Sequence, residues 1–400
     1  MSTVVAARGL SRAVWILVVA RAVNRIGAFT LPFLGVVLSV EFKASLSQTG
    51  LILAVFGAAT IPSRLLGGQL ADRLGRRSTI VLGLTGCAVG QLWIALSHAL
   101  WSAVLATILL GLAFEIYEPP SQAMIADVTE PEDRPAAYGL YSAALAAAGV
   151  LAGLLAAAIS HWDLRWLFVA DAITCLSCAA LVAVALPADV RRERRDDLPD
   201  KAATAWRDRR LLLLLAGGTV FATIYMQLII GVPLTLLDQG IPESGTGIIL
   251  AVSAVTLIAA QRLLRVQHLD DFRAIAIGYA LVGVGLVVVA LAHNLAVFLL
   301  AAVLWSLGEL FLLTRYLTQA SGLAPEKARG RYLAIFGLSW GIATTIAPIT
   351  VSQLLETAGP EGLWLTSAAV ACALAILQPW VRRRLDPDRR NDDRRIATDR

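Results

Sequence analysis

Long apolar runs alternate along this chain with short polar breaks. A helix rises about 1.5 Å per residue and the hydrocarbon core of a bilayer is about 30 Å thick, so a span takes about 20 apolar residues. Twelve runs have about that length: 13–38, 47–71, 78–97, 99–123, 136–159, 165–186, 210–236, 245–265, 273–292, 295–320, 331–354 and 361–381. The breaks after the third and ninth runs are so short that the flanking helices must be antiparallel neighbours. The pattern therefore predicts an all-α membrane protein with twelve transmembrane helices. Residues 1–12 carry Arg8 and Arg12, and the first run is too long for the apolar core of a secretion signal, so no cleaved leader is expected.

Composition agrees with the pattern. Of the 400 residues 58% are hydrophobic and 16% charged, with a mean hydropathy of +0.71. Soluble domains carry about one quarter charged residues. The charges also have a side. With the N-terminus in the cytoplasm, 28 of the 34 Lys and Arg fall in cytoplasmic segments and only Lys43 and Arg165 fall outside. The positive-inside rule then predicts an even number of spans and both termini in the cytoplasm of a cytoplasmic-membrane protein. The net charge of +5 is accounted for by this asymmetry and does not point to nucleic acid.

A weak internal repeat divides the chain. Thr49-Gly50-Leu51-Ile52-Leu53-Ala54-Val55 is echoed by Thr246-Gly247-Ile248-Ile249-Leu250-Ala251-Val252, an offset of 197. Leu31-Pro32-Phe33-Leu34 recurs as Val232-Pro233-Leu234 at 201, and Glu115 with Pro131-Glu132 recurs as Glu309 with Pro325-Glu326 at 194. Three echoes at nearly one offset imply duplication. Two pseudo-symmetric six-helix bundles follow, 1–186 and 210–381, with a cytoplasmic linker at 187–209 and a charged tail at 382–400. Parallel repeats of this kind place a substrate site where the halves meet, near the bilayer midplane.

Between spans 2 and 3 stands Gly67-Gly68-Gln69-Leu70-Ala71-Asp72-Arg73-Leu74-Gly75-Arg76-Arg77. By local physics, Gly68 lets span 2 approach a neighbour, Asp72 can accept from a facing helix N-terminus or from Arg76, and Gly75 permits a tight turn. The segment resembles the loop between helices 2 and 3 of the major facilitator superfamily, in motif and in position. The resemblance covers essentially the whole chain and implies the major facilitator fold. It also implies secondary transport of a small molecule and a gating loop made of Gly68, Asp72, Arg73, Gly75, Arg76 and Arg77. Asp127, just past span 4, is placed to pair with Arg73 or Arg76.

Within that superfamily the chain is similar to twelve-helix drug:proton antiporters. Arg21, Asn24-Arg25-Ile26-Gly27 and Pro32 in span 1, Tyr117-Glu118-Pro119-Pro120 in span 4, and Tyr225 with Gln227 in span 7 carry the likeness. Two features of that group are missing: span 5 has Gly149 and Gly153 but no Pro, and the Arg early in span 4 is absent. The resemblance implies proton-coupled efflux of a lipophilic or cationic compound, with proton-coupled uptake as the alternative. A sensor on the same fold would more naturally carry an appended soluble domain. An enzyme would need a clustered nucleophile, base or metal set, and the sequence has none.

Seven ionisable residues fall within spans: Arg21, Arg25, Arg64, Glu115, Glu118, Glu309 and Arg315. Each would cost about 2.5–3.5 kcal/mol facing lipid at mid-helix, so they must face a cavity or one another. Arg21 and Arg25 share a face, as do Glu115 and Glu118. Arg21, Arg64 and Glu118 read as an ion-pair cluster joining spans 1, 2 and 4. Arg25, Glu115, Glu309 and Arg315, with Asn24, Tyr117, Tyr225 and Gln227, are candidates for a substrate and proton cavity. Phe29 is a further stacking candidate.

The remaining residue types add little. Trp15, Trp93, Trp101, Trp162, Trp166, Trp364 and Trp380 lie near span ends, as an interfacial belt requires. Cys175-x-x-Cys178 sits in an apolar helix without His, so it reads as packing, and Asp171 as bonded within its own half. No metal site, cofactor or phosphate-cradling loop is expected. The expected partners are a small-molecule substrate, protons and the lipid bilayer, with the chain acting as a monomer.

Overall fold

A computed structural model describes residues 11–129, 134–186, 206–261, 270–323 and 329–385. Their helices are, in order, α1 (Arg12–Ile26), α2 (Thr30–Val40), α3 (Leu46–Leu74), α4 (Arg76–Leu96), α5 (Leu100–Phe114), α6 (Glu118–Asp127) and α7 (Arg134–Ser160). They continue as α8 (Arg165–Ala185), α9 (Arg209–Asp238), α10 (Ser244–Ala260), α11 (Asp271–Ala290), α12 (Leu295–Gly322) and α13 (Arg329–Leu385). The side chain of Asp127, most of the linker, the end of the eighth apolar run and the tail beyond 385 lie outside the described residues.

Every predicted apolar run lands on a helix. Among the described residues ten segments are long and apolar enough to cross a membrane, and Ser244–Ala260 is apolar but shorter. The last of the ten, Ile335–Arg384, has 50 residues and contains two of the predicted runs. Gly359 separates them with φ 67° and ψ −176°, a backbone that ends one helix and starts the next. The molecule also exposes what a soluble protein hides: Trp162 is 83% and Val184 86% exposed, with many Leu, Ile and Val across the helix faces. Such surfaces are stable only against lipid.

Two spans are broken, each for a legible reason. The first splits into α1 and α2 at Gly27–Phe29. A Cβ at Gly27 would lie 2.1 Å from Thr174 Oγ1, so glycine lets this joint close onto α8. The fourth span splits into α5 and α6, and Pro119 and Pro120 occupy the first turn of α6. Proline lacks the amide hydrogen and clashes with the carbonyl four residues back, so the helix cannot run through Glu115–Tyr117. The Glu115 N–H turns aside to donate to Ser63 Oγ at 3.0 Å.

The chain forms two compact units. One holds the described residues up to 186 together with Met226–Ile258 and Thr344–Gly359. In it, Ser45 caps α3 through a reciprocal box with Gln48, and α3 runs against the 344–359 stretch of α13. There the Ser47 N–H and hydroxyl donate to the two Glu356 carboxylate oxygens at 2.9 and 2.6 Å. In the same unit α7 and α10 touch backbone to backbone: a Cβ at Gly247 would lie 2.4 Å from the Gly153 carbonyl oxygen. The other unit holds the described parts of Asp197–Tyr225, Ala259–Ala343 and Pro360–Arg400. Its α11 and α12 approach through Gly278 and Gly308, where a Cβ on Gly308 would lie 2.4 Å from the Gly278 carbonyl oxygen. Small residues at such crossings permit helix contact where no water is present to drive association.

Candidate functional site

The break in span 4 organises the charges of the first unit. It leaves Glu118 in the first turn of α6, where the positive end of a helix favours a carboxylate. Arg21 of α1 reaches it: Nη2 donates to Glu118 Oε2, and the two form an ion pair. The same guanidinium donates to Asn24 Oδ1 at 2.7 Å and, through Nε, to the Tyr141 hydroxyl of α7 at 3.1 Å. Its carbon lies 4.7 Å from the Tyr117 ring centroid, a cation–π distance. Glu118 Oε1 accepts from Gln122 at 2.8 Å. At the other side of the break, Glu115 stands 4.0 Å from Arg64 of α3. Of the three residues expected to cluster, Arg21 and Glu118 pair with each other, whereas Arg64 pairs with Glu115, which the sequence placed among the cavity residues. A guanidinium bonded on three sides is fixed in place, whereas a pair at 4.0 Å is loose enough to exchange partners. Tyr141 belongs to this cluster and was not expected, since an isolated Tyr in an apolar run carries no sequence signal.

Other predicted residues fall differently. Arg25 is exposed and takes no part in the cluster. Phe29 is buried at the joint of α1 and α2. Gln227 donates to Thr350 at 3.0 Å within the first unit. Gly67, not Gly68, makes the close approach: its Cβ would lie 2.4 Å from the Ile116 carbonyl oxygen, while a Cβ at Gly68 meets nothing within 4 Å. The reason is helical phase, since adjacent residues face about 100° apart and only one can point at the break between α5 and α6, where Ile116 lies. Gly75 carries φ 91° and ψ 163°, so the turn between α3 and α4 does need glycine. In that loop Arg77 donates to the Ala183 carbonyl of α8.

The second unit is aromatic where the first is charged. Phe221 and Tyr225 of α9, Tyr279 of α11, Tyr316 of α12, and Phe336 and Trp340 of α13 form a continuous set of ring contacts. Tyr316 stacks between Phe221 and Phe336, and its hydroxyl meets that of Tyr279 at 2.8 Å, which also donates to the Gly217 carbonyl at 3.3 Å. These rings are buried, so every hydroxyl is matched. At one edge, Tyr225 and Trp340 meet edge to face at 5.2 Å and are only partly buried. They are the least buried rings of the set. Glu309 is buried on α12 (7% exposed). Arg315 turns to Asp271 at the start of α11, donating to Oδ1 at 2.7 Å, while Gln319 donates to Oδ2 at 2.7 Å. Among the described residues no three His, Cys, Asp or Glu are grouped to hold a metal.

Comparison with known proteins places this arrangement. The family model of the Major Facilitator Superfamily matches residues 14–312 and 267–398. A Na(+), Li(+), K(+)/H(+) antiporter of Planococcus maritimus is 26% identical, with 80% of this chain and 84% of the relative covered. Multidrug resistance protein MdtH of Cronobacter sakazakii is 25% identical over 86% of this chain and 88% of its own. In fold, a peptide transporter POT in complex with sulfate superposes with a TM-score of 0.76 at 14% identity, covering 94% of this chain and 95% of the other. An auto inhibited POT family peptide transporter gives 0.77 at 15%, covering 94% and 97%. With its apolar runs on helices and a family model matched along nearly its whole length, this chain belongs to the Major Facilitator Superfamily of membrane transporters.

Proposed function

We propose that this transporter exports a small lipophilic or cationic compound from the cytoplasm in exchange for protons, by alternating access between the six-helix halves 1–186 and 210–381 on either side of the 187–209 linker. The orientation follows from the charge asymmetry: a cytoplasmic-membrane protein with both termini inside, working as a monomer. The observation that carries the reading is the Arg64–Glu115 pair at the break in span 4, 4.0 Å apart. A carboxylate so loosely held can exchange its arginine for a proton or for a cationic substrate, which is the competition that antiport requires. Glu309, the corresponding residue of the second repeat, is the other proton-carrying candidate. Tyr225 and Trp340 offer aromatic faces suited to an apolar cation. The gating role of Asp72, Arg73, Arg76 and Arg77, with Asp127, rests on the family resemblance of the loop.

Two relatives, an alkali-cation/proton antiporter and a multidrug resistance protein, support exchange and efflux by their names. The name of the Planococcus maritimus protein also favours a second reading, in which the cargo is an alkali cation. Purified protein in proteoliposomes with an imposed pH gradient separates them. Gradient-driven movement of a fluorescent lipophilic cation, lost in Glu115→Gln, supports the first reading. Gradient-driven Na⁺ movement with no dye flux supports the second. Flux that ignores the gradient and is unchanged by Glu115→Gln overturns proton coupling through this residue.

A further inference from the structure

The first unit buries a carboxylate that neither ion pair uses. Asp171 lies on α8, six residues beyond Arg165, and is 3% exposed. Among the described residues it joins no ion pair. Its polar neighbours are neutral side chains drawn from three helices, Thr30 of α2, Gln91 of α4 and Cys175 of α8. The Thr30 hydroxyl donates to Oδ2 at 3.0 Å, and the Cys175 thiol lies 3.7 Å from Oδ1. Gln91 Nε2 in turn reaches Thr30 Oγ1 at 3.3 Å. Gln91 on α4 is 2% exposed, and its Oε1 has no partner.

These facts describe two charge states of one site. Ionised, Asp171 accepts from Thr30 and Cys175. Protonated, it becomes a donor and needs a buried acceptor, and Gln91 Oε1 is an acceptor without a donor. A lone buried charge is costly, so a proton arriving here is held rather than repelled. We propose that Asp171, with Thr30 and Gln91 as its partners, is a proton-binding site inside the N-terminal bundle, separate from the carboxylates of the span 4 break.

The titratable groups on the packed helices are few. α1 contributes Arg12, Arg21 and Arg25, α4 contributes Arg76, Arg77 and Cys87, and α7 contributes Arg134, Tyr138 and Tyr141. α8 itself carries Arg165, Cys175 and Cys178, and α2 has none. Among the described side chains of these, Cys175 is the one that touches the carboxyl, and it leads onward: Asn24 Nδ2 donates to Cys175 Sγ at 3.3 Å, and Arg21 donates to Asn24. Every donor in that series points from the Arg21 guanidinium toward Asp171. Loading the carboxyl therefore removes the acceptor at the end of a line that begins at the Arg21–Glu118 pair.

The site deepens the antiport reading and rests on it only for the use made of the proton. The test is infrared difference spectroscopy of the full chain in lipid nanodiscs, stepping from alkaline to acidic pH with no gradient and no cargo. A protonated-carboxyl C=O band is expected to appear on acidification, to move on isotope labelling of aspartate carboxyls, and to be lost in Asp171→Asn while surviving in Glu115→Gln. Gln91→Leu keeps the carboxyl and is expected to move the band to higher frequency, because the O–H loses its acceptor. A band unaltered by aspartate labelling or by Asp171→Asn overturns the proposal. So does a shift of the carboxylate stretches on adding NaCl or LiCl at constant pH with no protonated-carboxyl band at acidic pH, which would make this a metal-cation site. An intact band together with gradient-independent transport would sink the antiport reading and leave the site standing.

Discussion

The Arg21 guanidinium holds Glu118 across the break in span 4, while the same group sits 4.7 Å from the centre of the Tyr117 ring. This pair is largely removed from solvent, so its members depend on each other more than either contributes to the fold. Breaking a buried pair costs about 3–5 kcal/mol, whereas replacing both partners with apolar groups of like size is often near neutral. Arg21→Met and Glu118→Leu are each expected to lower the unfolding midpoint in detergent micelles. The double substitution is expected to recover most of the loss, and a double-mutant cycle measures how much.

Tyr225 and Trp340 present the partly buried edge of the aromatic set. If a lipophilic cation binds there, removing one ring should cost about 1–2 kcal/mol of affinity, or about tenfold in Kd. Tyr225→Ala and Trp340→Ala are expected to weaken tetraphenylphosphonium binding by that factor in equilibrium dialysis. Phe336→Leu, which alters a buried ring away from that edge, is expected to leave the Kd within a factor of two or so.

Gly153 and Gly247 set the spacing of α7 and α10. A Cβ at Gly247 would lie 2.3 Å from Ala157 N and 2.4 Å from the Gly153 carbonyl oxygen, both backbone atoms that cannot rotate away. Gly247→Val is expected to destabilise by about 1–3 kcal/mol or more and to reduce transport. Gly149→Ala is the control. Its Cβ meets only the Ala254 methyl at 3.7 Å, so thermal unfolding should be close to wild type.

Arg165 ties three segments of one hairpin end together. Its Nε donates to Glu41 at 3.1 Å, and its Nη1 to the Ser97 and Ala95 carbonyls at 3.0 and 3.4 Å. Lysine has one head group and cannot reach all three acceptors. Arg165→Lys is expected to lose about 2 kcal/mol of stability despite keeping the charge, read as a lowered unfolding midpoint. Equal stability of the Arg and Lys forms would show that only the charge matters.

The site was legible in part. The ionisable residues of the spans stood out because charge in an apolar run is costly wherever it falls, and Arg21, Arg64 and Glu118 were expected to cluster, with Glu115 assigned to the cavity instead. Their pairing was not, because it depends on where Pro119 and Pro120 turn the chain. Asp171 was visible as a residue and read as bonded within its half, but its partners Thr30, Gln91 and Cys175 are ordinary polar side chains with no pattern of their own.

Span lengths, the number of apolar runs and the family loop follow from the sequence by itself, because they depend on local properties: hydrophobicity summed over about 20 residues and the glycine at Gly75 that its turn demands. What only the tertiary structure decided is which faces meet. Whether Gly67 or Gly68 packs on the break between α5 and α6, whether Arg315 turns to Asp271, and whether Tyr225 finds Trp340 all depend on helix rotation. An apolar helix in lipid has no amphipathic stripe to announce that rotation. Close packing of small residues fixes it instead, one contact at a time.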